Sequence, residues 1–137
     1  MKTMWNFLQI TFTSIGAFVG YFLGGIDALV IALVSFVVID YITGVMRAID
    51  EKKLSSSVGF RGIFRKVIIF MLVGIANIID VNVIGNGAAL RTAVIFFYLS
   101  NEGISILENA TFLGLPIPKK LKIILKQINE DKGDKNE

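Results

Sequence analysis

Ala28-Leu-Val-Ile-Ala-Leu-Val-Ser-Phe-Val-Val-Ile-Asp-Tyr-Ile-Thr-Gly-Val-Met46 decides the fold. Its apolar residues run on without the every-second-residue alternation that a membrane β-barrel strand needs. The stretch is close to the ~20 residues that cross ~30 Å of hydrocarbon as a helix. A helix satisfies its own backbone hydrogen bonds, which lipid cannot do. Working outward, a similar stretch occupies residues 5–23, separated from the first by Gly24-Gly25-Ile26-Asp27, which predicts a tight helical hairpin. Two more lie at about 63–79 and 92–113, with a polar loop over 47–62 and a turn-rich one over 80–90. The expectation is an all-α membrane protein with four transmembrane helices. A three-helix alternative keeps the first stretch at the interface. Residues 1–115 would form the membrane domain.

The balance of the chain agrees. Of 137 residues 54% are hydrophobic and 18% charged, with mean hydropathy +0.70, against about 25% charged in a soluble domain. Cysteine and histidine are absent, which excludes disulfides, thiol chemistry and imidazole bases. No cleavable signal is evident, because another hydrophobic helix follows the first. Orientation follows lysine and arginine. Of 14 such residues, all but Arg91 fall on one side if the chain crosses four times. This predicts both termini in the cytoplasm.

After Pro118, Leu121, Ile124, Leu125 and Ile128 share one helical face, with Lys119, Lys120, Lys122 and Lys126 around it. Residues 116–128 therefore predict a basic amphipathic helix. It either lies on the anionic leaflet or packs on the bundle. Residues 129–137 read as a disordered polar tail.

Several residues are costly in lipid. Asp40 lies within the second stretch, and the fourth carries Asn101, Glu102, Ser105, Glu108 and Asn109. Tyr98, Asn101, Ser105 and Glu108 fall on one polar stripe. A central carboxylate costs roughly 3 kcal/mol, while each strong apolar residue returns about 0.3–0.6 kcal/mol. The fourth helix has about ten such residues, worth roughly 3–6 kcal/mol, which its glutamates and asparagines cancel. It therefore needs water or protein along that stripe, as a pore lining or as a buried hydrogen-bond network. Asp40 has Arg47 or Lys66 as candidate partners. Gly16, Gly20 and Gly24 form a small-residue row suited to close helix packing, within the protomer or between copies. The sequon at Asn109 falls at a helix end and carries no meaning there. No catalytic or metal constellation is present, and no cofactor or nucleic-acid partner is implied.

Three segments resemble a known family: Asp40-Tyr-Ile-Thr-Gly-Val-Met-Arg-Ala-Ile49, Ser55-Ser-Ser-Val-Gly-Phe-Arg-Gly-Ile-Phe-Arg-Lys66, and Ser100-Asn-Glu-Gly-Ile-Ser-Ile-Leu-Glu-Asn109 with Leu115-Pro-Ile-Pro-Lys-Lys-Leu121 after it. Over residues 35–128 the chain is similar to the toxin-secretion and phage-lysis holins of Gram-positive phages and clostridia. The resemblance implies a non-enzyme of the bacterial cytoplasmic membrane that forms homo-oligomers among membrane lipids. It opens a timed lesion through which endolysin, or in some relatives a toxin, passes without required direct contact. Asp40, Gly44, Asn101, Glu102 and Glu108 are the matching motif positions, and Gly44 joins the packing glycines. An antiholin or a small channel or transporter subunit is the alternative. Met4 offers a second start, giving two forms that differ by Lys2; Met4→Leu with unchanged lysis timing and a single parental band would discard that idea.

Overall fold

The computed structural model describes residues 1–133, with side chains through Gln127. Five α-helices follow one another: α1 (Lys2–Phe22), α2 (Ala28–Asp50), α3 (Ser56–Ile78), α4 (Ala89–Phe112) and α5 (Lys119–Gly133). No strand occurs among the described residues. α3 runs antiparallel to α2 and α4, which run parallel to each other, so the ends of α2 and α4 meet the start of α3. That end carries Arg47, Lys52, Lys53 and Arg61 and is called the basic end below. The opposite end, where α1 turns into α2 and α3 into α4, is the turn end.

Local chemistry sets the helix limits. Asp27 caps α2 by accepting the Val30 N–H at 3.0 Å, and Ser55 caps α3 through the Val58 N–H at 3.3 Å. α3 thus begins well ahead of Ile63, where its apolar run starts. Ser55 stops the polar loop early, and Lys52, in the left-handed region with φ 57°, closes α2. Beyond α3 the chain continues as a π-helical turn, Ile79–Ile84, ending on Gly85 in the left-handed conformation. Half of the expected 80–90 loop is therefore helical. The wider turn brings the Asp80 carboxylate over the start of α4, where it accepts the N–H groups of Leu90 at 3.1 Å and Arg91 at 2.8 Å. A residue ten positions upstream acts as the cap that Ala88 cannot supply.

α4 is the hub, packed against α2, α3 and α5. The apolar core joins Val30, Leu33 and Val37 of α2, Ile69 and Val73 of α3, Ile95 of α4 and Leu23. The first three recur at i, i+3, i+7, the spacing of one helical face. α1 does not form the expected hairpin with α2. It has no buried residue, and its backbone approaches α3 alone among the described elements. Only its last turn is seated, with Phe22 against Gly74 and the Asn77 side chain donating to the Phe22 carbonyl at 3.2 Å. The reason is steric. The turn needs φ +84° at Gly24 and +105° at Gly25, and it directs α1 away from α2.

Two segments are long and apolar enough to cross a membrane, Ala28–Asp50 and Ser56–Ile84, with mean hydropathy 2.3 and 2.4. α1 and α4 fall below that measure. Asn6 and Gln9 dilute α1, while Arg91, Glu102 and Glu108 dilute α4. α5 folds back along α4, so that Leu125 packs on Gly103, and it continues to Gly133. Residues 134–137 of the expected polar tail lie outside the described residues.

Candidate functional site: a shared lysine between two carboxylates

Asp40, Lys66 and Glu102 each come from a different helix. Each lies ten residues from its helix limit at the basic end (40 to 50, 56 to 66, 102 to 112). At 1.5 Å rise per residue this is about 15 Å, near the middle of the helical layer. Antiparallel packing therefore brings them to one level. The Lys66 ammonium donates to Asp40 Oδ2 and to Glu102 Oε2. Asp40 and Glu102 are 8% and 7% exposed, so water does little to screen them. The second Asp40 oxygen accepts from Asn109 Nδ2 at 3.2 Å, and the same amide donates to Thr43 Oγ1 at 3.0 Å.

Two carboxylates facing one ammonium leave an excess negative charge, a costly state in low dielectric. The polar surroundings offset part of it. A cleft of about 560 Å³ opens beside the cluster, lined by Tyr41, Gly44, Tyr98, Asn101 and Ser105 among others. Gly59 and Gly62 leave room for the Tyr41 ring, whose hydroxyl points at the Gly59 carbonyl, 3.5 Å away. Among the described residues no three His, Cys, Asp or Glu side chains gather as a metal-binding group.

The expected stripe on α4 divides. Asn101, Glu102 and Ser105 border the cleft with Asp40, whereas Glu108 is exposed and lines a second cleft with Arg47, Lys122 and Lys126. Arg47 is not the partner of Asp40. It pairs with Glu51 at 3.5 Å and lies over the Phe112 ring, 4.4 Å from its centroid. Lys119 and Lys120 are exposed. The glycine row divides: Gly16 has nothing within 4 Å of where a Cβ would stand and Gly20 meets only the Ile26 side chain, whereas Gly24, in the turn, lies tightly against the Asn77 and Arg91 side chains. Gly44 does lie at a helix contact, 3.8 Å from Asn109 Nδ2 by the same measure. Gly74 and Gly103, which the sequence did not single out, sit in closer contacts.

A second buried charge cluster closes the turn end. Arg91, 4% exposed, donates from Nε to the Leu23 carbonyl at 2.6 Å and from Nη2 to the Gly25 carbonyl at 3.1 Å. Its Nη1 reaches Asp27 Oδ2 at 2.8 Å. The Arg91 guanidinium holds the Asp27 carboxyl below the usual carboxylate range, helped by the Val30 N–H. The one basic residue at this end is thus neutralised in place.

A helical chain with a buried, charge-bearing core at mid-depth fits what the comparisons find. The model of the bacteriophage holin family matches residues 17–130. The chain belongs to that family, which is not one of enzymes. A protein of Bacillus phage phi105 named "Probable holin" is 40% identical over 100 residues, 73% of each chain. An uncharacterized 14.9 kDa protein of Clostridium perfringens, in the nagH 3′ region, is 40% identical over 133 residues, 96% of this chain and all of that one. Protein Lin0175 of Listeria innocua, also uncharacterized, is 44% identical over 130 residues, 95% of this chain and 92% of its own. No solved structure matches the chain.

Proposed function

We propose that the chain is a holin that crosses the bacterial cytoplasmic membrane four times, with both termini inside. Copies of it assemble into a timed lesion that releases endolysin or a toxin. The observation that carries this is the Asp40–Lys66–Glu102 cluster. Inside one protomer the three charges are largely buried and share one another's hydrogen bonds. If the helices part, each faces hydrocarbon at roughly 2.5–3.5 kcal/mol, and the cheaper outcome is to surround water jointly with other copies. The neutralised Arg91 leaves the basic end as the only strongly cationic one, which favours its cytoplasmic placement. Assembly has a candidate surface on α1. Asn6, Gln9, Thr13, Gly16 and Gly20 recur at intervals of three and four residues, and the side chains of the first three have no hydrogen-bond partner among the described residues. In lipid such groups find partners on another helix.

Induced expression of the chain alone in a bacterium tests this reading. Abrupt loss of viability and membrane potential, with release of a co-expressed endolysin, supports it. Ion-specific conductance without macromolecular release would make it a channel. Absence of toxicity with delayed lysis by a partner would make it an antiholin. Charges at this depth also couple to voltage, at about 2.3 kcal/mol per charge per 100 mV of full crossing. Glu102→Gln with Glu108→Gln should therefore alter lysis timing and its response to depolarisers; unchanged behaviour would remove voltage from the mechanism.

A further inference from the structure

The Arg47, Lys122 and Lys126 cleft takes no part in the charge cluster of the core. It measures about 410 Å³ and lies between α2, α4 and the folded-back α5. Its composition is uneven. Three cations border it against a single carboxylate within it, Glu108. Arg47 is already engaged with Glu51 and the Phe112 ring. Lys122 and Lys126, one turn apart on α5, form no ion pair with any described residue. The remaining walls are mainly apolar: Ile104, Leu107, Phe112 and Ile117. Glu108 is four residues from the end of α4 at Phe112, about 6 Å along the axis, which puts that wall near headgroup level; Lys126, next to the Leu125 that packs on Gly103, lies deeper, so the cleft runs inward from the helix ends between hydrocarbon-compatible walls.

We propose that this cleft binds the headgroup and upper acyl chain of an anionic glycerophospholipid. Arg47, Lys122 and Lys126 would hold the phosphate, and the Ile104–Leu107–Phe112–Ile117 wall would hold the chain. The chemistry selects an amphiphile. A free phosphate would leave the apolar wall uncovered, and an acidic peptide would set its polar backbone against that wall. Basic pockets between helices at the cytoplasmic face suit such lipids. The lipid would tie α5 to α2 and α4, so the lysines of α5 act at one discrete site instead of spreading over the leaflet. The inference rests on the reading of the chain as membrane-spanning with its basic end inside.

Native mass spectrometry of the full chain in detergent tests it, with phosphatidylglycerol and phosphatidylcholine as probes and no bilayer surface to attract lysines in general. The expected result is one preferred phosphatidylglycerol per protomer. Lys122→Gln with Lys126→Gln removes two charge-assisted hydrogen bonds to the phosphate and should weaken that binding by at least about tenfold. Lys119→Gln with Lys120→Gln, an equal loss of charge outside the cleft, should change it by less than about threefold. Equal losses from both pairs, equal binding of the two lipids, or full competition by glycerol phosphate would each overturn the site. Extraction of the chain from membranes by alkaline carbonate would instead overturn the membrane-spanning reading, whatever the lipid result.

Discussion

Lys66→Met is the most informative single change in this protein. It removes the ammonium from which both Asp40 and Glu102 accept. Removing one partner of a buried ion pair costs about 3–5 kcal/mol, because the other charge stays buried. Here two carboxylates would remain. The loss corresponds to a factor of roughly a hundred to several thousand in the folding equilibrium. Glu102→Gln should behave differently. It leaves Asp40 and Lys66 paired one to one, and the amide oxygen still accepts from the ammonium, so the expected change is within about 1 kcal/mol. A triple variant that combines Asp40→Asn, Lys66→Met and Glu102→Gln should recover at least half of the Lys66→Met loss, since no charge is then stranded. Unfolding of the purified chain in mixed micelles of rising dodecyl sulfate content, followed by circular dichroism, orders the three variants. A Lys66→Met protein as stable as Glu102→Gln would refute the reasoning, because it would mean the ammonium is not what holds the carboxylates in the core.

Gly24→Ala should destabilise by at least about 1–2 kcal/mol, the cost of a left-handed non-glycine residue. The added methyl would also stand 2.4 Å from Asn77 Oδ1. Gly16→Ala, inside a helix with open space around it, should leave stability unchanged or raise it by up to about 1 kcal/mol, and should not lower it. Gly74→Ala would place a methyl 1.9 Å from the Phe22 ring and should cost about 1–3 kcal/mol. Combining it with Phe22→Ala should be less harmful than the sum of the two, and strict additivity in melting experiments would disprove the contact. Asp27 has its carboxyl depressed by Arg91, so its contribution is fully present above the unfolded value of about 3.9 and lost as pH falls through the lower folded value. The stability difference between wild type and Asp27→Asn should therefore be flat from pH 7 to about pH 5 and shrink below about pH 4. A difference that fades near neutrality would rule out the Arg91 pairing.

The helical class was readable because period and run length report it directly. α2 begins where its sequence changes from Gly24-Gly25-Ile26-Asp27 to an apolar run, and Asp27 is a conventional cap. Lys66 was legible as a partner for Asp40 but not for Glu102. The register of Lys66 depends on where α3 starts, and its first turns, Ser56 to Gly62, are too polar to read as part of an apolar helix. Counting from Ser55 as the cap would have placed Lys66 level with Asp40 and Glu102. Asn109 drew notice as part of a sequon near a helix end, and nothing in its spacing pointed to the hydrogen bond it donates to Asp40. Capping of α4 by Asp80 had no sequence signature, since a π-turn has none. The small-residue row could not say which helix it would meet, for a general reason. Glycines at four-residue spacing permit close packing but do not specify a neighbour, and the strained turn at Gly24 sends α1 where the protomer offers none.

Arg91 also imposes an order on biogenesis. Every acceptor it uses, the Leu23 and Gly25 carbonyls and the Asp27 carboxylate, belongs to a turn that leaves the ribosome more than sixty residues earlier in the chain. Asp80, which fixes the Arg91 backbone, also precedes it. The receiving pocket is thus synthesised before the residue that fills it. On the four-crossing reading proposed above, the turn between α1 and α2 would wait at the far face until α4 delivers the guanidinium. A ribosome stalled before Arg91 would leave the first 90 residues with no latch, and the latch closes only after about two thirds of the 137 residues have been made.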